Sequence, residues 1–138
     1  MSIQIPQSHV DLLTDPVCVT LVTVMPDGQP QASVIWCDYD GQHVLVNTAR
    51  GRQKERNLTE RPMATILAID PQNPYRYLEV RGRVAEATEK GAVESINSLA
   101  QQYVNQPTYY GGVAPAEQAN KETRVLFKIE PIHVNAIG

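Results

Sequence analysis

The residues best suited to chemistry in this chain are basic side chains that crowd into one short polar stretch. Residues 50–61 hold five of the 12 Lys and Arg residues, although the net charge of the protein is −3. These five are Arg50, Arg52, Lys54, Arg56 and Arg61. Only Glu55 and Glu60 oppose them within the stretch. A cluster of this kind indicates a site for an anion such as a phosphate group.

The predicted position of the cluster, at the start of a helix, supports the same interpretation. Residues 50–61 are mostly helix formers, and Pro62 marks the end of a helix that opens directly after a strand. Cations are unfavourable at a helix N-terminus, where backbone N–H groups are also unpaired, unless an anion completes the site. Thr48 offers a hydroxyl just before the helix, and Gly51 lets a ligand approach the backbone. The alternative is a solvated basic face that pairs with the two glutamates of the helix.

Two aromatic features are weaker candidates for a binding site. Trp36, the only tryptophan, lies in a predicted strand, where it either stacks on a flat ring or packs in the core. Residues 109–112, Tyr-Tyr-Gly-Gly, form either a mobile loop over a site or a plain surface loop. No spacing suggests a catalytic triad, a carboxylate pair or a set of metal ligands. An enzyme without such residues is most easily one whose cofactor supplies the chemistry.

Alternation and turn residues predict a mainly β chain with few helices. The predicted helices are 8–15, with Ser8 as N-cap, 50–61 and 90–104, the last with Val93, Ile96, Ala100 and Val104 at helical spacing. The predicted strands are 16–25, 30–38, 43–49, 63–70, 75–88 and one or two strands within 123–138, with Pro131 as the break. Pro26, Asp27 and Gly28 predict a tight turn, and Gly82 a bulge or a close approach.

Six or seven antiparallel strands with so few helices predict a sheet that closes into a barrel and so avoids bare edges. The first strand, 16–25, is apolar on both faces, whereas an antiparallel strand with one solvated face should alternate. The barrel interior of so short a chain can cover only one of these faces. We therefore expect a homodimer in which a second subunit covers the other.

Composition limits the remaining possibilities. The length of 138 residues predicts a single domain, 1–138. The acidic balance argues against general nucleic-acid binding, and no apolar run approaches the ~18 residues of a membrane span. With no signal-like N-terminus, we expect a soluble cytoplasmic protein. Cys18 and Cys37 are predicted to be buried free thiols. A three-residue hairpin loop places Cys18 opposite Trp36 and turns Cys37 to the other face, so that no disulfide forms.

Three segments give the chain a specific resemblance to a known family. They are PDGQPQ (26–31), NTARGRQKERNL (47–58) and DPQNPYRYLEVRG (70–82). From about residue 9 to its C-terminus, the chain resembles the pyridoxamine 5′-phosphate oxidase-like superfamily of split β-barrels, which bind FMN. It is most similar to the branch of small reductases that use the deazaflavin coenzyme F420. The resemblance implies a two-fold dimer with two cofactor clefts at its interface.

The resemblance also implies which residues bind the cofactor. The ring would lie along the second strand, and the phosphate would be held after the third strand. A residue of the partner's fifth strand would reach the ring. On this sequence the cofactor-binding residues are then Ser33, Val34, Ile35, Trp36, Asn47, Thr48, Arg50, Gly51, Arg52, Lys54, Asn57 and, from the partner, Tyr77. No catalytic side chain and no metal ligand is expected.

The implied activity is hydride transfer between coenzyme F420 and an unsaturated small molecule that the sequence does not identify. Two alternatives stay open: an FMN-dependent oxidoreductase, and a non-catalytic protein that binds or carries flavin, deazaflavin or haem. The number of cations in 50–61 exceeds what one phosphate needs, which favours the longer anionic tail of the deazaflavin. The chain lacks the basic C-terminal part of vitamin B6 oxidases, so we do not expect that activity.

Overall fold

A computed structural model describes residues 3–138 as three helices, seven strands and a short 3-10 helix. The helices are α1 (Asp11–Thr14), α2 (Gln53–Glu60) and α3 (Ala92–Val104), and the 3-10 helix is Ala116–Asn120. The strands are β1 (Val19–Val24), β2 (Pro30–Ile35), β3 (Cys37–Tyr39), β4 (Val44–Ala49), β5 (Met63–Asp70), β6 (Asn73–Thr88) and β7 (Arg124–Ile137). The prediction of a mainly β fold with six or seven antiparallel strands is confirmed.

All seven strands form one antiparallel sheet in the order β2-β1-β5-β6-β7-β4-β3. Its two edge strands, β2 and β3, are consecutive in the chain and are separated only by Trp36. The sheet must therefore curl until its edges meet at this residue, which gives a half-barrel. The predicted single strand 30–38 is wrong in this respect, because the chain bends at Trp36 and changes pairing partner from β1 to β4.

The hairpin that joins β1 to β2 has the predicted register. Val19 pairs with Ile35, Val24 pairs with Pro30, and the Met25 N–H donates to the Gln29 carbonyl over 2.9 Å. Gly28 takes a φ of 89°, the left-handed conformation that closes this turn and that favours glycine. In this register Cys18 lies opposite Trp36, and both cysteines are free thiols, as expected.

The core fills the inside of the curl. Along β1, Val19, Leu21 and Thr23 are buried, whereas Thr20, Val22 and Val24 on the other face are only half-buried. The buried face packs against side chains from the other strands. Among these, Ile66, Leu78 and Phe127 are fully buried. The outer face of β1 is the second apolar face that the sequence predicts.

Gly82 occupies the predicted point of close approach between β6 and β7. The pairing register shifts between Arg81 and Gly82, opposite Pro131. A Cβ at position 82 would lie 2.6 Å from Ile129 Cγ2 and 2.7 Å from the Glu130 carbonyl oxygen. Only glycine fits here without a shift of the backbone. Pro131 itself does not break β7, which continues through this bulge as one strand.

Two helix details differ from the sequence expectation. The α-helix at the N-terminus begins only at Asp11, with Val10 as its N-cap, because the Ser8 hydroxyl instead donates to Nδ1 of His9. Nδ1 of His9 can accept this hydrogen bond because the ring carries its proton on Nε2, which donates to the Ile137 carbonyl. In α3 the buried face is formed by Ala92, Ile96, Leu99 and Ala100, while Val93 and Val104 are exposed. Within residues 3–138, no helix has both the length and the hydropathy of a membrane span.

Candidate cofactor-binding pocket

A pocket of about 240 Å³ opens where β2 bends into β3, and it is bounded by the N-terminus of α2, by α3 and by the loop after α3. Its lining combines three cations with mostly apolar and aromatic side chains. The lining residues are Cys18, Val34, Ile35, Trp36, Asn47, Arg52, Lys54, Ile96, Leu99, Tyr109, Val113 and Arg124. Six of the twelve predicted cofactor-binding residues are thus brought together here.

Lys54 is the clearest indication that this pocket binds an anion. The side chain is half-buried on the first turn of α2, and within residues 3–138 its ammonium group has no hydrogen bond or ion pair. Burial and the positive charges of Arg52 and Arg124 lower the pKa of Lys54 below its usual value. A charged group in such surroundings is unfavourable unless an anion binds beside it.

Arg124 is a third cation of the pocket, and sequence analysis missed it. The side chain is 4% exposed, its Nε donates to Asn47 Oδ1 over 2.9 Å, and the Asn47 amide donates to the Ala92 carbonyl over 2.7 Å. The guanidinium carbon lies 4.9 Å from the centre of the Tyr109 ring. Arg124 begins β7, far along the chain, and reaches the pocket because Ala49 pairs with Arg124 in the β4–β7 ladder.

The turn between β4 and α2 is built around Gly51 and Glu55. Gly51 has a φ of 90°, and its N–H donates to Glu55 Oε1 over 2.7 Å. Burial raises the pKa of Glu55, but the hydrogen bonds from Gly51 and Thr59 and the charge of Arg50 have the larger effect. The pKa of Glu55 is therefore lower than its usual value. The predicted start of the helix at residue 50 is therefore wrong: Arg52 is the N-cap and Arg50 lies outside the helix.

The five basic residues of 50–61 do not form the continuous track along the pocket that the sequence suggested. Arg50 pairs with Glu55 and Glu89. Arg56 donates to the Gly51 carbonyl and to Gln53 Oε1, and Arg61 donates to the Val24 carbonyl, Asn57 Oδ1 and Glu60. Only Arg52 and Lys54 of this set line the pocket. The number of basic residues in 50–61 therefore no longer favours the deazaflavin with its long anionic tail.

Three predicted residues lie beside the pocket without lining it. The hydroxyls of Ser33 and Thr48 are buried and have no hydrogen-bond partner in the described part of the chain. Thr48 shares a face of β4 with Val46, on the opposite side from Asn47. Asn57 is fully buried and donates to Thr23 Oγ1 and Met25 Sδ, so it holds α2 against β1. Roles for these residues in ligand binding stay predictions.

Aromatic rings form one wall of the pocket. Trp36 stacks on Tyr103 with ring centres 5.3 Å apart, and Tyr109 meets Trp36 edge-on at 6.4 Å. The Tyr103 hydroxyl donates to the Val17 carbonyl over 2.8 Å and accepts from the Cys37 N–H over 3.2 Å, which fixes the bend between β2 and β3. Val34, on the edge strand β2, is 71% exposed and presents its apolar side chain to the pocket. The wall offers a flat ring a surface to lie on.

The two cysteines differ in exposure. Cys37 is buried as expected, and burial raises the pKa of its thiol to about 12. Cys18 is exposed at the edge of the pocket, so the expectation that both thiols are buried is wrong for it. The reason is that Cys18 precedes β1 and meets the bend at Trp36, where the sheet does not cover it.

Tyr77 lies apart from the pocket of its own chain. It lines a groove on the outer surface of the sheet together with Thr20, Val22, Leu67 and Ile69. A contact between Tyr77 and a ligand would therefore require a second subunit seated on this outer face.

Fold and pocket together define a split-barrel protein whose pocket brings three cations and aromatic rings together. The sequence family described as pyridoxamine 5′-phosphate oxidase matches residues 5–138. The chain belongs to this family, and the predicted split-barrel fold is confirmed. No curated protein sequence matches the chain significantly.

Solved structures with the same fold include one whose sequence is also similar. A protein described as an F420 reductase is 34% identical, with a TM-score of 0.81, over 95% of this chain and 98% of that one. A conserved hypothetical protein from Mycobacterium tuberculosis is 24% identical, with a TM-score of 0.66, over 88% and 76%. The haem storage protein HutZ from Vibrio cholerae is 15% identical, with a TM-score of 0.62, over 89% and 87%. The last two likenesses concern the fold alone.

Proposed function

We propose that the protein is an oxidoreductase that transfers a hydride between coenzyme F420 and an unsaturated small molecule. The observation that carries the proposal is the unpaired Lys54 ammonium beside Arg52 and Arg124, in a pocket whose other lining residues are mostly apolar or aromatic. A flat ring joined to a phosphate has this same division of polarity. The 34% identity to the F420 reductase supports the choice of cofactor.

The side chains of the pocket bind and orient rather than react. Lys54, Arg52 and Arg124 would hold the phosphate, and the segment 34–36 would lie along the ring. The bound cofactor supplies the hydride chemistry. None of the residues that line the pocket is a carboxylate or a histidine, and we assign to the chain the roles of positioning the cofactor and excluding water.

FMN is the second candidate cofactor. It ends at the phosphate, and the three cations of the pocket suffice for that group. Because Arg50, Arg56 and Arg61 are engaged elsewhere, residues 50–61 offer no further free cation for the deazaflavin tail. The proposed order of cofactors therefore rests on sequence identity, and binding measurements decide it.

We expect turnover, which separates an enzyme from a carrier. Reduced F420 mixed with the protein and either a quinone or a cyclic enone should be oxidised faster than in a reaction without protein, as followed by the return of its absorbance. The control is a protein sample in which Lys54 is replaced by Ala, which should lose most of the acceleration at low cofactor concentration. Cofactor binding without any acceleration, with a range of quinones and enones, would favour the carrier. A Soret band in the purified protein would point to haem instead.

A further inference from the structure

One carboxylate stands among the cations next to the pocket. The Glu122 side chain is 11% exposed, and its Oε2 accepts from Nη2 of Arg52 over 3.3 Å. Its Oε1 accepts from Nη1 of Arg124 over 3.4 Å. Glu122 thus already pairs, from one side, with two of the three cations that we assign to the ligand phosphate, and it leaves Lys54 without a counter-ion.

The same carboxylate also holds the loop that follows α3. The Tyr110 hydroxyl donates to Glu122 Oε1 over 2.7 Å, a shorter contact than either of those with the arginines. Burial raises the pKa of the Glu122 carboxyl, but the hydrogen bonds from Tyr110 and Gln118 and the charges of Arg52 and Arg124 outweigh it, so that the pKa lies below its usual value. Glu122 is therefore charged at neutral pH, and its charge is shared between the loop and the pocket.

The loop is attached to the pocket at further points close to this pair. The Tyr109 N–H donates to Asn97 Oδ1 of α3 over 2.8 Å, and the Tyr109 ring lies against both Arg124 and Trp36. The Tyr110 ring meets the Tyr109 ring edge-on at 5.1 Å. The hydroxyl of Tyr110 is thus placed to draw the Glu122 carboxylate away from the arginines and toward the loop.

We propose that Glu122 is a positioning and specificity-determining residue: it competes with a bound anion for Arg52 and Arg124, and the hydrogen bond from Tyr110 limits this competition. This proposal rests on one part of the proposed function, namely that the pocket binds an anion. A carboxylate that pairs with the arginines weakens the binding of any anion. Only a well-placed and strongly charged group can then displace it from them. Tyr110 acts on the anion through Glu122, and its hydroxyl also lies close to Arg124.

This arrangement predicts effects of opposite sign for two neighbouring substitutions. Glu122→Gln removes the competing charge and keeps an oxygen that accepts from Tyr110, so anions should bind about 3–10-fold more tightly, as expected for the loss of two ion pairs, one partly exposed and one buried. Tyr110→Phe removes the donor and leaves the full charge to the arginines, so anions should bind about 2–5-fold more weakly. In the double variant the Tyr110 substitution should have almost no further effect.

Calorimetric titration with inorganic pyrophosphate tests this directly, because this probe contains no ring and reports on the cations alone. The four proteins of the cycle are the natural chain, the two single variants and the double variant. Glu89→Gln is the matched control: Glu89 pairs with Arg50, which does not line the pocket, so its loss should leave pyrophosphate affinity unchanged. Thermal unfolding checks that each variant is folded.

The outcomes separate this proposal from the proposed function. Weaker pyrophosphate binding in both single variants would show that Glu122 only holds the pocket in shape, and would overturn the proposal. Equal gains in pyrophosphate affinity in Glu122→Gln and Glu89→Gln would show that only the net charge of the protein matters. This result would also overturn the proposal. The predicted cycle in a protein that binds neither F420 nor FMN would support the role of Glu122 while contradicting the proposed function.

Discussion

Replacement of Lys54 by Ala is expected to weaken cofactor binding about 10–150-fold, the equivalent of one charge-assisted hydrogen bond. The ammonium of Lys54 has no partner in the described chain and stands beside two guanidinium groups, so a bound phosphate is its natural counter-ion. The fold should not suffer, because the substitution removes a cation from the first turn of a helix. Affinity is measured by titration of the apo-protein with the cofactor, and stability by thermal unfolding.

The matched control is Lys121→Ala. Lys121 is exposed in the loop just before Glu122 and does not line the pocket, so it contributes only diffuse attraction. Arg61, although basic and nearby, is a poor control because it donates to the Val24 carbonyl and supports the fold. Equal losses in the Lys54 and Lys121 variants would contradict a defined phosphate site.

The lowered pKa of Lys54 adds a pH dependence to this prediction. As the pH rises through that pKa, the ammonium becomes neutral and phosphate affinity falls. A bound anion raises the pKa of Lys54, so the loss of affinity occurs at a higher pH than the pKa of the free protein. In the Lys54→Ala protein this alkaline loss should disappear. Identical alkaline profiles in both proteins would assign the titration to another group.

Replacement of Val22 by Asp is expected to halve the mass of the protein in solution. We propose a homodimer, since the outer face of the sheet carries Val22 and Val24 beside the exposed Met63 and Ile132. An aspartate on a monomer surface would be harmless, but in a dimer interface it buries an unpaired charge, which costs several kcal/mol per ion. Light scattering should give twice the chain mass of 15.3 kDa for the natural protein and 15.3 kDa for the variant.

The control for the dimer is Val93→Asp. Val93 is exposed on α3, away from the outer face of the sheet, so its replacement should leave the dimer intact. A natural protein that scatters as a monomer at micromolar concentration would contradict the dimer. It would also remove Tyr77 from the site, because Tyr77 can reach a pocket only from a partner.

The features that sequence analysis predicted well depend on local residues. The turn at residues 26–28 fixes the β1–β2 register because a left-handed glycine closes a hairpin of one particular length. Gly82 marks the close contact with β7 because any side chain there would meet the Glu130 carbonyl. Arg52 and Lys54 were found because they crowd the start of one helix.

The features that it missed depend on contacts between distant parts of the chain. Arg124 and Glu122 come to the pocket through the pairing of β4 with β7, and an arginine at the start of a strand carries no local signal of a binding role. The bend at Trp36 is invisible because the residues on both sides of it are suited to strands; only the closure of the sheet separates β2 from β3. Likewise Leu99, and not Val93, lies on the buried face of α3, because packing against β4 and β7 decides which side of the helix is covered.

Titration of the apo-protein with F420 and with FMN, each at two salt concentrations, tests the central claim most directly. Trp36, the only tryptophan, lines the pocket and reports binding by its fluorescence, and protection of the exposed Cys18 from a thiol reagent locates the ligand there. F420 should bind more tightly than FMN, and its affinity should fall more steeply with salt because it carries more charge. Tighter binding of FMN at both salt concentrations would make FMN the cofactor, and failure of both ligands to protect Cys18 would contradict the site itself.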